Sequence, residues 1–140
     1  MKITIRDAVP EDAENVIAHL REYDMKKLQS CGDTERVLRL TIERATECYL
    51  GFIDDEPICI MFVQATNICA GKARVGILMM RGADEHTNVV GRYSIRLFRM
   101  FIRRYEELTG EIDPEYTRSV QWMQRLGFTI EGNTFYWRRD

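Results

Sequence analysis

The chain has 140 residues and a mass of 16.5 kDa, within the usual range of one compact domain with one core. Its 45% hydrophobic and 30% charged residues match folded globular proteins rather than disordered ones, and no apolar run approaches the roughly 20 residues that cross a bilayer, which argues against a membrane partner. Twenty Lys and Arg against twenty-two Asp and Glu leave a net charge of −2, so nucleic acid is not an expected partner unless a local patch supplies the attraction.

Lys2 to Arg6 alternates polar and apolar side chains, with Ile3 and Ile5 on one face, and reads as a half-buried strand. Pro10, at a first helical position, and acidic Glu11 and Asp12 open a helix over about residues 10–22, with Ala13, Val16, Ile17 and Leu20 at helical spacing. Cys31 and Gly32 break the pattern. Asp33 or Thr34 then caps a second helix that carries Val37, Leu38, Leu40, Ile42 and Ala45 to about Glu47.

Cys48 to Ile53 and Pro57 to Ala65 are β-rich runs joined by Asp54, Asp55 and Glu56, a hairpin pattern, and Ala73 to Met80 adds a third strand. Thr87 to Glu107 reads as one long helix, apolar over a wide arc. On its remaining face Arg92, Arg96, Arg99 and Arg103 fall at i, i+4, i+7 and i+11, a basic stripe about 16 Å long that serves either as a solvated face or as a phosphate or partner contact. Gly110 to Pro114 ends that helix, with a strand stub near Glu111 and Ile112. Tyr116 to Arg125 forms a short helix closed by Gly127, and Phe128 to Glu131 pairs with Thr134 to Arg138 around the turn Gly132-Asn133.

Cys31, Cys48, Cys59 and Cys69 contain no Cys-x-x-Cys pair, and neither His19 nor His86 stands at a zinc-site spacing from them, so no metal is expected. Cys48 and Cys59 sit in apolar strand runs and read as small buried hydrophobes. The start, Met1 to Ile5, lacks the apolar segment of a secretory leader, which points to the cytoplasm.

The element order β-α-α-β-β-β-α-β-α-β-β resembles the GNAT superfamily of N-acetyltransferases. Two segments carry the likeness: Ile5-Arg6-Asp7-Ala8-Val9-Pro10-Glu11-Asp12 is similar to that family's opening strand and helix start, and Ser119 to Phe128, ending Leu126-Gly127-Phe128, to its closing helix and strand. The resemblance implies a single α/β (α+β) domain over residues 1–140, with a mixed, mostly antiparallel sheet of six or seven strands and about four helices.

The same resemblance implies acetyl transfer from acetyl-CoA to an amine acceptor, a small molecule or a protein. The pantetheine arm would pair with backbone of Gly76 to Arg81, here Leu78, Met79, Met80 and Arg81. The pyrophosphate would sit on Val89, Val90, Gly91 and Arg92 at the start of the long helix. The family's Arg/Gln-x-x-Gly-x-Gly/Ala loop is altered in this chain: with Gly91 in the second small position, Val89 fills the first and His86 replaces the Arg or Gln, and with Gly91 in the first, Tyr93 occupies the second. The family's closing-helix Tyr, the proton donor to the departing thiolate, aligns with Met123, which has no proton to give.

Asp84 and Glu85, after the fourth strand, are the candidate bases, His86 is placed to meet a phosphate or to act as acid or base, and Tyr116 is either the substitute acid or an ordinary aromatic at a helix start. Three functions from different classes follow: an acetyl-CoA-dependent N-acetyltransferase, a catalytically inactive GNAT-fold binding or assembly protein, or a binder of nucleic acid or an acidic partner through the arginine stripe of the long helix. The second is similar in general character to small GNAT-like proteins of tailed bacteriophages and extends the expected location to a virion. Phe135, Tyr136 and Trp137 on the last hairpin are compatible with a homodimer edge.

Overall fold

The computed structural model describes residues 1–140. Strand β1 (Ile3–Asp7) leads through a 3₁₀ turn at Pro10–Asp12 into α1 (Ala13–His19), α2 (Glu22–Gln29) and α3 (Thr34–Arg44). Strands β2 (Glu47–Ile53), β3 (Glu56–Asn67) and β4 (Lys72–Met79) follow. A 3₁₀ turn at Arg81–Glu85 precedes α4 (Thr87–Arg104), β5 (Glu107–Glu111), α5 (Thr117–Leu126), β6 (Thr129–Glu131) and β7 (Thr134–Arg138). The seven strands hydrogen-bond in the order β1-β2-β3-β4-β5-β7-β6. The β4–β5 pair is parallel, whereas β1–β2, β2–β3, β5–β7 and β6–β7 are antiparallel.

Contacts divide the chain into two units, one of Met1–Gln64 with Ile77–Thr87 and the other of Ala65–Gly76 with Asn88–Asp140. In the first, Ala13, Val16 and Leu20 recur at i, i+3 and i+7 and bury that stripe with Leu38, Ile42, Leu50, Ile60 and Met80. Each of the Val, Leu, Ile and Met side chains taken from water contributes about 1.5–3 kcal/mol. Asp12 fixes the entry to α1: its carboxylate accepts the Val9 N–H at 2.8 Å and both fork nitrogens of Arg6 at 2.8 Å. Asp33 caps α3 by accepting the Arg36 N–H.

In the second unit, α4 lays Phe98 against Phe128 and Trp137, with ring centroids 4.8 and 6.2 Å apart, and Phe128 meets Phe135 at 4.9 Å. The aromatic residues of the last hairpin therefore contribute to this unit's interior, Phe135 being buried and Tyr136 and Trp137 half-buried. Gly110 is required by close approach, since a Cβ there would lie 2.0 Å from Phe135 Cζ and 2.5 Å from the Val75 carbonyl oxygen. Gly127 ends α5 in the left-handed region at φ 105°, the cap expected of it.

Three boundaries differ from the sequence expectation, the first being the helix expected to reach about Glu47: it ends at Arg44, because the Thr46 N–H donates to the Val63 carbonyl at 2.8 Å and Glu47 opens β2 opposite Val63. The helix expected over about 10–22 stops at His19, and a further helix, α2, starts at Glu22, because Leu20 bridges to Met80 and the Arg21 N–H donates to the Met79 carbonyl at 3.2 Å. The long helix ends at Arg104 rather than Glu107. The Glu106 N–H turns to the Gly71 carbonyl at 2.7 Å, and Glu107 pairs with Lys72 and with Arg138 as part of β5.

Candidate functional site

The residues expected to hold an extended cofactor arm lie at the end of β4. A strand offers the backbone groups of alternate residues to its two sides. The Met80 N–H donates to the Ile58 carbonyl on β3 at 2.9 Å, which turns Ile77 and Met79 to the opposite side. An added strand or extended ligand would bond to those two residues.

Their polar groups are already engaged by the chain itself. The Met79 N–H donates to Asp24 Oδ1 at 3.1 Å, the Met79 carbonyl accepts the Arg21 N–H at 3.2 Å, and the Ile77 carbonyl accepts Lys27 Nζ at 3.3 Å. All three partners belong to α2 or the residue before it. Asp24 is 2% exposed, and its second oxygen accepts Arg21 Nε at 2.8 Å. Arg21 Nη1 reaches on to Asp84 at 3.3 Å. A carboxylate at this depth is stable only with such donors around it, and no buried side-chain N or O atom of the protein lacks a hydrogen bond.

The other expected site residues fall as follows. Leu78 and Met80 are buried in the core of the first unit, Met79 is half-buried, and the exposed Arg81 donates to the Ala18 carbonyl at 2.9 Å. Asp84 is exposed and pairs with Arg21, a cation of the same network. In the second unit Val89 is half-buried, Val90 buried and Arg92 exposed at the start of α4. Gly91 stands in that helix with open space around the position of a Cβ, so packing alone does not require a glycine there. Tyr116 is the half-buried residue preceding α5, its N–H donating to the Asp113 carbonyl, and Met123, in the position aligned with an acid, is buried.

Two of the four thiols are held in their neutral form. Burial pushes both Cys48 and Cys59 up to about 12, with the charges of Asp12 and Asp7 adding to the shift of Cys48 and that of Asp24 to the shift of Cys59, whereas Cys31 and Cys69 are exposed. No group of three or more His, Cys, Asp and Glu residues is arranged to hold a metal ion.

The sequence does not mark Asp24, although it is the most buried carboxylate of the site. The one local signal was its place three residues after Arg21, an ordinary helical ion-pair spacing.

No protein-family model matches the chain, and no curated protein matches it in sequence. Solved structures do. A chimera of the spermidine N-acetyltransferase SpeG from Vibrio cholerae and hSSAT superposes with a TM-score of 0.76 at 12% identity, over 99% of this chain and 96% of its own. AAC(6')-Ib in complex with ribostamycin and coenzyme A gives 0.73 at 10% identity, over 99% and 94%, and a probable acetyltransferase from Staphylococcus epidermidis gives 0.74 at 14%, over 99% and 100%. The chain has the GNAT acetyltransferase fold, with a seven-stranded mixed sheet and five helices. At these identities the likeness establishes the fold and not the reaction.

Proposed function

We propose that this chain is a GNAT-fold binding or assembly protein that does not carry out acetyl transfer. The observation that supports this reading is the engagement of Met79: its N–H and carbonyl are both bonded to Asp24 and Arg21, and the neighbouring Ile77 carbonyl to Lys27. A pantetheine arm pairing along β4 would have to displace an internally bonded, almost fully buried carboxylate, which costs more than the hydrogen bonds it would regain. The residues present therefore do not fit the coenzyme. The substitution of Met123 for a proton donor and of Val89 for a phosphate-loop glycine agree with this reading.

A second reading, acetyl-CoA-dependent transfer to an amine acceptor, is favoured by one observation. Gly91 lies inside α4 where Ala would be more stable by about 0.5–1 kcal/mol, and nothing packs against it, the condition under which a ligand rather than the fold explains a glycine. Thermal denaturation with millimolar acetyl-CoA separates the two. A ligand at a hundred times its dissociation constant stabilises by about 2.7 kcal/mol, a rise of several degrees for a domain of this size. The binding-protein reading predicts an unchanged midpoint. A saturable rise that Gly91→Val abolishes would replace it with the enzyme reading.

A further inference from the structure

Charge is divided unevenly between the two units. The first carries nine Lys and Arg against fifteen Asp and Glu, and the second eleven against seven, so a chain that is nearly neutral as a whole has one distinctly basic unit. Within that unit the charge gathers on α4. No acidic residue lies between Glu85 and Glu106, and Arg92, Arg96, Arg99 and Arg103 are all exposed.

At about 100° per residue the four fall within an arc of about 60°, opposite the buried Val90, Ser94, Phe98 and Phe101. The four form one row about 16 Å long. None of them makes an ion pair: Arg96 rests on the Tyr93 ring at 4.9 Å, and the carboxylates of Glu106 and Glu107 are taken by Arg139 and by Lys72 and Arg138.

We propose that this face of α4 binds the sugar–phosphate backbone of duplex nucleic acid without reading its sequence. The chemistry of the face favours that partner over others. Every exposed residue of α4 is Thr, Asn or Arg, with no exposed apolar side chain, whereas the centre of a protein interface is apolar and aromatic and poor in charge. No exposed aromatic side chain stands along the row to stack an unpaired base, which disfavours single strands. What remains is a line of unpaired guanidinium groups on a rigid rod, complementary to a line of phosphates. The inference is independent of whether coenzyme binds elsewhere in the fold.

The test is fluorescence anisotropy with a labelled 30-base-pair DNA duplex, titrated with the full chain at 50 to 300 mM salt. Binding in the range of about 10⁻⁶ to 10⁻⁴ M is expected, with a log–log salt slope of about −3 to −4 for four neutralised phosphates. The double variant Arg96→Gln/Arg99→Gln should halve that slope and weaken binding at least tenfold at low salt. Arg96→Lys/Arg99→Lys should keep most of the affinity, and because all four positions are exposed both variants should melt with the parent. Absence of binding at 50 mM salt, a flat salt dependence, or unchanged binding by the Gln variant overturns the proposal. Equal competition by polyglutamate and by unlabelled duplex also overturns it and assigns the face to an acidic protein.

Discussion

The carboxylate of Asp24 accepts the backbone N–H of Met79 at 3.1 Å although the two residues are 55 apart in sequence. Through this bond and the reciprocal one from the Arg21 N–H to the Met79 carbonyl, α2 and its entry residue close the end of β4 as an added strand would. Asp24→Ala leaves the Met79 N–H and the Arg21 guanidinium short of a partner in a buried place, an expected loss of about 2–4 kcal/mol by urea denaturation. Asp24→Asn keeps an acceptor for Met79 and should lose less than the Ala variant. Equal losses would mean that the Met79 bond contributes nothing.

Two glycines predict opposite outcomes. Gly110→Ala would drive a Cβ into Phe135 and the Val75 carbonyl, and a loss of about 3 kcal/mol or more is expected. Gly91→Ala meets open space inside a helix and should raise stability by about 0.5–1 kcal/mol. Chemical denaturation of both variants beside the parent checks the pair.

The opening of α1 gives a pH dependence. The Arg6 hydrogen bond, with help from the Val9 N–H, holds the Asp12 carboxyl below its ordinary value against a smaller opposing effect of burial. A carboxyl depressed in the folded state binds protons more readily in the unfolded chain, so its contribution is complete above the unfolded value of about 4 and disappears as pH falls through the folded one. The stability difference between the parent and Asp12→Asn should therefore be constant from pH 5 to 7 and shrink below about pH 4. A difference that persists undiminished at pH 2 would assign it to packing rather than charge.

Much of the architecture was legible before the structure. The β2–β3 hairpin, β4, α5 with its Gly127 cap and the β6–β7 hairpin were all given by local signals: alternation, a turn pair, a left-handed glycine. The boundaries that moved were set by partners distant in sequence. Nothing near Leu20 announces that the chain leaves the helix there, because the compensation comes from Met79 and Met80, and residues 105–107 keep an unbroken helical pattern while Gly71 takes the Glu106 N–H and Arg138 pairs with Glu107 in β5. The same reasoning applies to the site. The sequence marks Asp84 as a carboxylate after a strand, but the network that holds it depends on Arg21, 63 residues earlier.

Thiol accessibility offers a check on the interior of the first unit. With burial raising Cys48 and Cys59 to about 12 and leaving Cys31 and Cys69 exposed, a disulfide reagent at neutral pH should titrate two thiols quickly and all four only in denaturant. Rapid native reaction of three or four would mean that β2 or β3 opens far more readily than its packing implies.

The most direct test follows the Met79 amide resonance of ¹⁵N-labelled protein during titration with acetyl-CoA to millimolar concentration. With Asp24 holding that N–H, the resonance should stay in place, and its hydrogen exchange should remain as slow as in the free protein. A saturable displacement of the Met79 signal, moving together with those of Val89 to Arg92, would contradict the account and return the chain to coenzyme-dependent acyl transfer.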